Sequence, residues 1–273
     1  MSTEDTLDKK HARLREMLRA YDAVAVAFSG GVDSTLLLAE AGKTIGETVI
    51  ALTAVSALQP RWEVDEAIRL ARILGITHEL IHTRELSDPA FTVNSPDRCY
   101  VCKKTLFSEM IARSRELGYA HMIHGANADD LADYRPGMRA AEELSVTAPL
   151  KDAGLTKADI RALARQMELP NWNKPAAACL ASRLPYGMEI TPGRLKMVEE
   201  AENVLMALGF TGFRVRHLGD TARIEVMPAD FSRLIHPERR LTIIRELRDM
   251  GFVYVTLDLE GYTAGRMNRS IGT

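Results

Sequence analysis

Three cysteines among 273 residues cannot make a disulfide framework, and no stretch approaches the roughly 18 uncharged apolar residues that a membrane span requires. The first shortage turns Cys99, Cys102 and Cys179, in a reducing compartment, toward metal binding or catalysis. The second, with an N-terminus polar and charged through Arg19 and no apolar signal core, makes the cytoplasm the expected location and a membrane partner unexpected. Charge of one sign is also scarce. The formal net charge is −2, with acids and bases spread along the chain, so the field of a general nucleic-acid binder is lacking, although a local basic pocket stays open. Internal repeats and low-complexity tracts are missing too.

What the chain has is apolar residues, at 46%, enough for the cores of a large α/β domain and a smaller module. Leu7, Leu14, Met17 and Leu18 lie on one face of an amphipathic lead-in helix over 7–20. Residues 23–28 are wholly apolar, as a parallel strand buried on both faces requires, and 35–41 read as a helix. Strands at 48–52, 77–82 and 120–124 then alternate with helices at 62–74, 102–117 and 137–144, and a loop carries Pro89, Asn94 and Pro96. Such alternation implies right-handed crossovers and a doubly wound parallel α/β sheet, with ligands at the carboxyl ends of its strands. Thr156 with Asp159 caps a helix to about 167, and Thr191-Pro192 starts another to about 208. Strands at 213–218, 222–226 and 253–259 around a helix containing 241–250 resemble half a ferredoxin-like unit, a smaller α+β domain. The expected organisation is a nucleotide-binding domain over 1–168, a linker loop over 169–191 that carries Cys179, and the α+β domain over 192–273.

The turn after the first strand reads Ser29-Gly30-Gly31-Val32-Asp33-Ser34. A strand-to-helix turn exposes backbone amides at the positive end of the helix dipole, and two glycines let a phosphate come close to them. Ser29 and Ser34 add hydroxyl donors, and Asp33 supplies the carboxylate that phosphate-bound Mg²⁺ needs. A Walker-type loop is disfavoured, because Gly42-Lys43-Thr44 has Leu37 where the upstream glycine would stand.

The whole string resembles the PP-loop of the N-type ATP pyrophosphatases. The resemblance implies that ATP is split between its α- and β-phosphates, that the loop grips pyrophosphate, that Leu52-Thr53 frames adenine, and that Gly125 lies beside the nucleotide with Asn127 and Asp129 following. Asp129 and Asp130 are equally suited to capping a helix. Members of this superfamily adenylate an oxygen and let a nitrogen or sulfur nucleophile displace AMP. The length leaves no room for a glutaminase, which turns the expectation away from an ammonia-channelling synthetase.

Two further stretches, 97–104 with Cys99 and Cys102 and 175–183 with Cys179, join Arg214-Val215-Arg216 and 222–226 in resembling the LarE family, sulfur transferases of nickel-pincer cofactor synthesis, over nearly the whole chain. That resemblance implies ATP-dependent conversion of a carboxylate of pyridinium-3,5-dicarboxylate mononucleotide to a thiocarboxylate, serving lactate racemase and related nickel enzymes. It also implies a homo-oligomer, a hexamer in the family, with Glu202 and Glu225 in a metal or interface patch. The best-known family form has one cysteine, matching Cys179, and sacrifices its sulfur. Cys99 and Cys102 match instead the three-cysteine members, whose thiolates hold a 4Fe–4S cluster with one iron open to sulfide from an external donor. Cluster, sacrificial cysteine, and a zinc or redox site, the zinc completed by His82 or His124, remain alternatives. Lys103 beside the cysteine pair is a catalytic candidate, and with Arg183, Arg214 and Arg216 a candidate for substrate phosphate and carboxylates; Arg214 and Arg216 alternate on one strand face. The other readings are a tRNA thiolase, for which no basic or aromatic RNA-binding module is visible, and a nucleotide-sensing regulator without turnover.

Overall fold

The computed structural model describes residues 3–132, 136–175 and 177–263. In chain order the elements are α1 (Thr3–Arg19), β1 (Val24–Ala27), α2 (Val32–Ile45), β2 (Val49–Val55), α3 (Arg61–Leu74), β3 (Thr77–His82), α4 (Pro89–Thr92), α5 (Arg98–Glu116) and β4 (His121–His124). They continue with α6 (Pro136–Glu143), α7 (Pro149–Asp152), α8 (Lys157–Gln166), α9 (Pro192–Ala207), β5 (Arg214–Leu218), β6 (Thr221–Glu225), α10 (Phe231–Ile235), α11 (Pro237–Asp249) and β7 (Tyr254–Leu257). Two compact units divide the chain: residues 1–85 with 97–177, and residues 86–96 with 178–273.

The larger unit holds a four-stranded parallel sheet in the order β3-β2-β1-β4. Because successive side chains of a strand face opposite ways, β1 sends Val24 and Val26 into one core and Ala25 into another. Leu14, Leu37, Leu70 and Leu163, from α1, α2, α3 and α8, fill the first core. Leu106, Phe107 and Met110 of α5, with Ala141 of α6, fill the second. Apolar residues on both faces of so short a strand force cover on both sides, which is the doubly wound arrangement. The chain leaves β1 toward β2 and β3, then returns to its other edge as β4. The turn after β1 therefore lies at the switch point, where a ligand crevice opens.

Local chemistry sets several boundaries. Gly75 at φ 67 ends α3, and the box of Thr156 Oγ1 accepting from Asp159 N at 3.2 Å, with Asp159 Oδ2 accepting from Thr156 N at 3.0 Å, starts α8. Two starts are earlier than the apolar period suggests. α2 begins at Val32 because the phosphate-loop residues themselves form its first turn, and α5 begins at Arg98, so Cys99 lies in its first turn and Cys102 opens its second. The period misses that turn because it carries a buried arginine, Arg98, where an apolar residue would mark the face.

In the smaller unit β5 pairs antiparallel with β6, and β6 pairs parallel with β7 across α11. Its core gathers Leu205, Val215, Ile224, Leu247 and Phe252. Residues 86–96, expected as a plain loop, carry the short helix α4 and are tied to this unit by Asn94. That buried side chain donates from Nδ2 to Pro185 O at 2.8 Å and Met188 O at 2.7 Å.

Candidate functional site

The phosphate-loop string is a tight turn. Gly30 has φ +68, and a Cβ there would stand 3.1 Å from the Ala67 Cα, so both conformation and space call for glycine. Gly31 O accepts from Thr35 N at 2.9 Å, Thr35 Oγ1 at 2.8 Å and Ser34 Oγ at 3.1 Å, which closes the first turn of α2. Ser29 Oγ lies 3.1 Å from Ser34 Oγ. Gly125, after β4, packs so closely that a Cβ would be 2.9 Å from Ser34 N. The expected neighbour of a nucleotide is thus also the residue that lets β4 approach the loop.

Asn127, fully buried, donates from Nδ2 to Asp33 Oδ2 at 2.9 Å and orients the loop carboxylate. Asp130 Oδ2 accepts from Asn127 N at 3.0 Å, and Asp129 Oδ2 accepts from Lys157 N at 2.8 Å, at the first residue of α8. The two aspartates therefore act as caps, one for the Asn127 turn and one for a helix further along than the next. Thr53 is buried, its hydroxyl donating to Phe28 O at 2.7 Å and lying 2.8 Å from His78 Nε2, whose pKa burial lowers.

Two side chains that sequence reading did not single out brace the loop from behind. Asn171 Nδ2 donates to Gly30 O at 3.1 Å and Thr35 Oγ1 at 2.9 Å. Lys174 Nζ lies 3.4 Å from Gly30 O and pairs with Glu63 at 2.7 Å, an ammonium next to the anion loop. Their signal was three polar residues around Trp172, namely Asn171, Asn173 and Lys174, between Pro170 and Pro175. On the α5 side, Lys103 Nζ stands over the Phe107 ring at 5.0 Å, and that ring lies 5.6 Å from His124. Burial, with the charges of Lys103 and Lys151 added, pushes the His124 pKa down to about 3, so its ring stays neutral.

None of the three cysteines is part of a disulfide. Cys99 and Cys102 are three residues apart in α5 and share a helix face. Cys179, exposed, belongs to the smaller unit and precedes the short 3₁₀ turn Leu180–Arg183. Among the described residues no group of three or more His, Cys, Asp or Glu side chains is gathered so as to hold a metal ion.

No protein-family model matches the chain. An uncharacterized protein of Synechocystis sp. is 40% identical over 263 residues, 96% of this chain and 98% of its own. The pyridinium-3,5-bisthiocarboxylic acid mononucleotide synthase of Lactiplantibacillus plantarum is 39% identical over 267 residues, 97% of this chain and 96% of its own. The chain belongs to the LarE family. A more distant relative, the tRNA-specific 2-thiouridylase MnmA of Desulforamulus reducens, is 26% identical over 200 residues, 56% of this chain and 52% of that enzyme. This LarE-family chain is an enzyme, an ATP-dependent sulfur-transferring synthase, on a parallel α/β sheet of the PP-loop type. Among the described residues no helix is long and apolar enough to cross a membrane.

The arginines expected at the LarE substrate stand in a charged cluster of the smaller unit. Arg183 Nε and Nη2 donate to the two oxygens of Glu202, each at 2.9 Å, and Arg216 Nε and Nη2 to those of Glu225 at 3.0 and 2.9 Å. Glu202 and Glu225, 7% and 0% exposed, are thus engaged by arginines of the same unit. Arg214 lies over the Tyr262 ring at 4.9 Å and has no ion-pair partner among the described residues. Burial first, and then the Arg183 charge, hold its pKa below the ordinary guanidinium range.

Proposed function

We infer that this chain uses ATP to activate a carboxylate of pyridinium-3,5-dicarboxylate mononucleotide and replaces its oxygen with sulfur, in the synthesis of a nickel-pincer cofactor. The observation that carries the reading is a glycine phosphate loop at the switch point of a chain 39% identical, over nearly its full length, to a synthase of the bisthiocarboxylic product. In the first step a substrate carboxylate oxygen attacks the α-phosphorus, the bond to the β-phosphate breaks, and pyrophosphate leaves. The amides of Gly30, Gly31 and Val32 with the hydroxyls of Ser29 and Ser34 receive it at the N-terminus of α2. Asp33, oriented by Asn127, is the hard oxygen donor that fits a phosphate-bound Mg²⁺. Thr53 and Gly125 border the nucleotide. Sulfur then attacks the acyl carbon, and AMP leaves with the electron pair of the carbon–oxygen bond.

For the sulfur, the reading assigns Cys99, Cys102 and Cys179 as thiolate ligands, with Lys103 beside them. The two α5 thiols on one helix face are the right donor type and spacing, and the exposed Cys179 is the third donor. When bound, a 4Fe–4S cluster with three protein ligands offers one iron for a sulfide supplied by an external donor. Arg214, lacking a carboxylate partner among the described residues, suits a substrate anion. The same reading divides the chain into an ATP pyrophosphatase domain over 1–168, a cysteine-bearing linker over 169–191 and a sulfur-transfer and oligomerisation domain over 192–273, in a cytoplasmic homo-oligomer. Light scattering checks the last point.

Asp33→Ala is expected to lower Mg-ATP-dependent pyrophosphate release by about 100-fold or more, since a positioned metal contributes several kcal/mol at a phosphoryl centre. Release at the wild-type rate would overturn the nucleotide assignment. For sulfur, anaerobically purified protein should contain iron, each of Cys99→Ala, Cys102→Ala and Cys179→Ala should lower it, and sulfide should support several turnovers. Iron-free protein that stops after one turnover and loses one H₂S per chain (~34 Da) would replace the cluster with β-elimination from Cys179. tRNA thiolation is the remaining reading, motivated by the MnmA match, and a gel shift with bulk tRNA decides it.

A further inference from the structure

The turn that presents Cys179 is held by charges that the ATP chemistry does not use. Ser182 N donates to Cys179 O at 3.0 Å and Leu184 N to Ala181 O at 3.1 Å, with Leu180 and Ala181 buried beneath. Arg183, 3% exposed, directs Nη1 at Ala178 O (2.6 Å), Cys179 O (3.0 Å) and Ser182 Oγ (3.0 Å), while its Nε and Nη2 are engaged by Glu202. Arg216, 5% exposed, directs Nη1 at Ser182 O at 2.8 Å, and its Nε and Nη2 are engaged by Glu225. Glu202 Oε1 also accepts from Val215 N at 3.1 Å, and Glu225 Oε1 from Arg223 Nη2 at 3.1 Å, so each carboxylate is anchored to the sheet of this unit.

A guanidinium grips a carboxylate or phosphate through two parallel N–H groups. In both arginines the edge formed by Nε and Nη2 already faces a glutamate, and Nη1 faces main-chain carbonyls of the turn. Buried ion pairs of this kind add little net stability compared with apolar packing, whereas they fix geometry well. We propose that Arg183 and Arg216 are positioning residues: they clamp the carbonyls of residues 178, 179 and 182 and so set the direction in which the Cys179 thiol is presented. This rests on the role given to Cys179 above and deepens it. Both sulfur chemistries need the clamp, because a thiolate that ligates iron and one that attacks an acyl carbon each require a defined direction of approach. Of the cations expected at the substrate anions, Lys103 and Arg214 are then left.

The test uses Arg183→Lys and Arg216→Lys in the full-length protein. A lysine ammonium keeps the charge opposite its glutamate but cannot reach the carboxylate and the turn carbonyls in one plane. Hydrogen exchange at the amides of Ser182 and Leu184 should accelerate at least ~10-fold as the turn opens locally. The rate of sulfur transfer should fall by about 10- to 100-fold with KM for the pyridinium mononucleotide unchanged, the signature of misplacement rather than lost binding. As a guard against misfolding, Arg183→Gln combined with Glu202→Gln removes both charges and the fork together, and should show the same exchange and transfer defects. A raised KM with an unchanged transfer rate would make the arginines substrate grips, and wild-type exchange at Ser182 and Leu184 would equally overturn the clamp. Sulfur transfer by Cys179→Ala would instead remove the role of Cys179, while the exchange comparison, which needs no substrate, still decides the clamp.

Discussion

The phosphate loop of the larger unit and the Cys179 turn of the smaller one are both short turns that present reactive groups, yet they differ in how far charge holds them. Behind the loop Gly30 O and Thr35 Oγ1 accept from an uncharged amide, Asn171, at 3.1 and 2.9 Å, and Gly30 O accepts more distantly, at 3.4 Å, from the Lys174 ammonium that pairs with Glu63. Behind the Cys179 turn the side-chain braces to main-chain carbonyls, among the described residues, are guanidiniums neutralised by buried carboxylates. The difference follows from what each turn faces. A loop that receives polyphosphate needs its forward-pointing amides and helix dipole uncancelled, and the Glu63 carboxylate behind it is neutralised by Lys174. A turn that aims a thiol needs its direction fixed, and planar forks on carbonyls supply that.

If the comparison is right, the largest loss comes from breaking a charged brace. Glu202→Ala leaves Arg183 buried and unpaired and should cost about 3–5 kcal/mol in denaturant unfolding of the smaller unit. Asn171→Ala removes two neutral hydrogen bonds behind the loop and should cost about 1–3 kcal/mol. Equal losses for the two would show that charged and neutral braces hold the turns equally. A pH dependence is also expected on the loop side of the molecule. Burial keeps His124 unprotonated down to about 3, whereas an unfolded histidine binds a proton near 6.5. Between those values the unfolded chain holds the extra proton, so stability should fall as pH drops, by at most ~1.4 kcal/mol per unit. His124→Gln should flatten that slope in urea titrations at pH 7 and pH 5, and an unchanged slope would show that other groups set it.

Much of the larger unit was legible because its signals are local. The strand at 77–82, the Gly75 stop and the Thr156–Asp159 box depend on residues within a few positions of one another, as does the Thr191 cap of α9 in the smaller unit. The first turn of α5 was not legible, since Arg98 stands at a buried position. Nor was the bracing of Gly30 by Asn171, 141 residues along the chain, or the tie from Asn94 to Pro185, 91 residues along. Within the site, the glycine loop and the cysteines stood out by residue type and spacing. The guanidiniums stood out too, but an arginine that grips a ligand and one that grips its own main chain look alike in sequence.

Sequence by itself therefore determined the chemistry available to this protein: an anion-binding turn after a buried strand, a carboxylate beside it, and thiols in two separate stretches. Periodicity and turn chemistry act over a few residues, and those features are written at that range. Tertiary structure alone decided which polar groups are already engaged. Arg183 meets Glu202 19 residues away and Arg216 meets Ser182 34 residues away, across a strand pairing and a helix packing that no local pattern encodes. The physical reason is that a buried charge must find its partner wherever the folded chain brings one, and only the completed core specifies where that is.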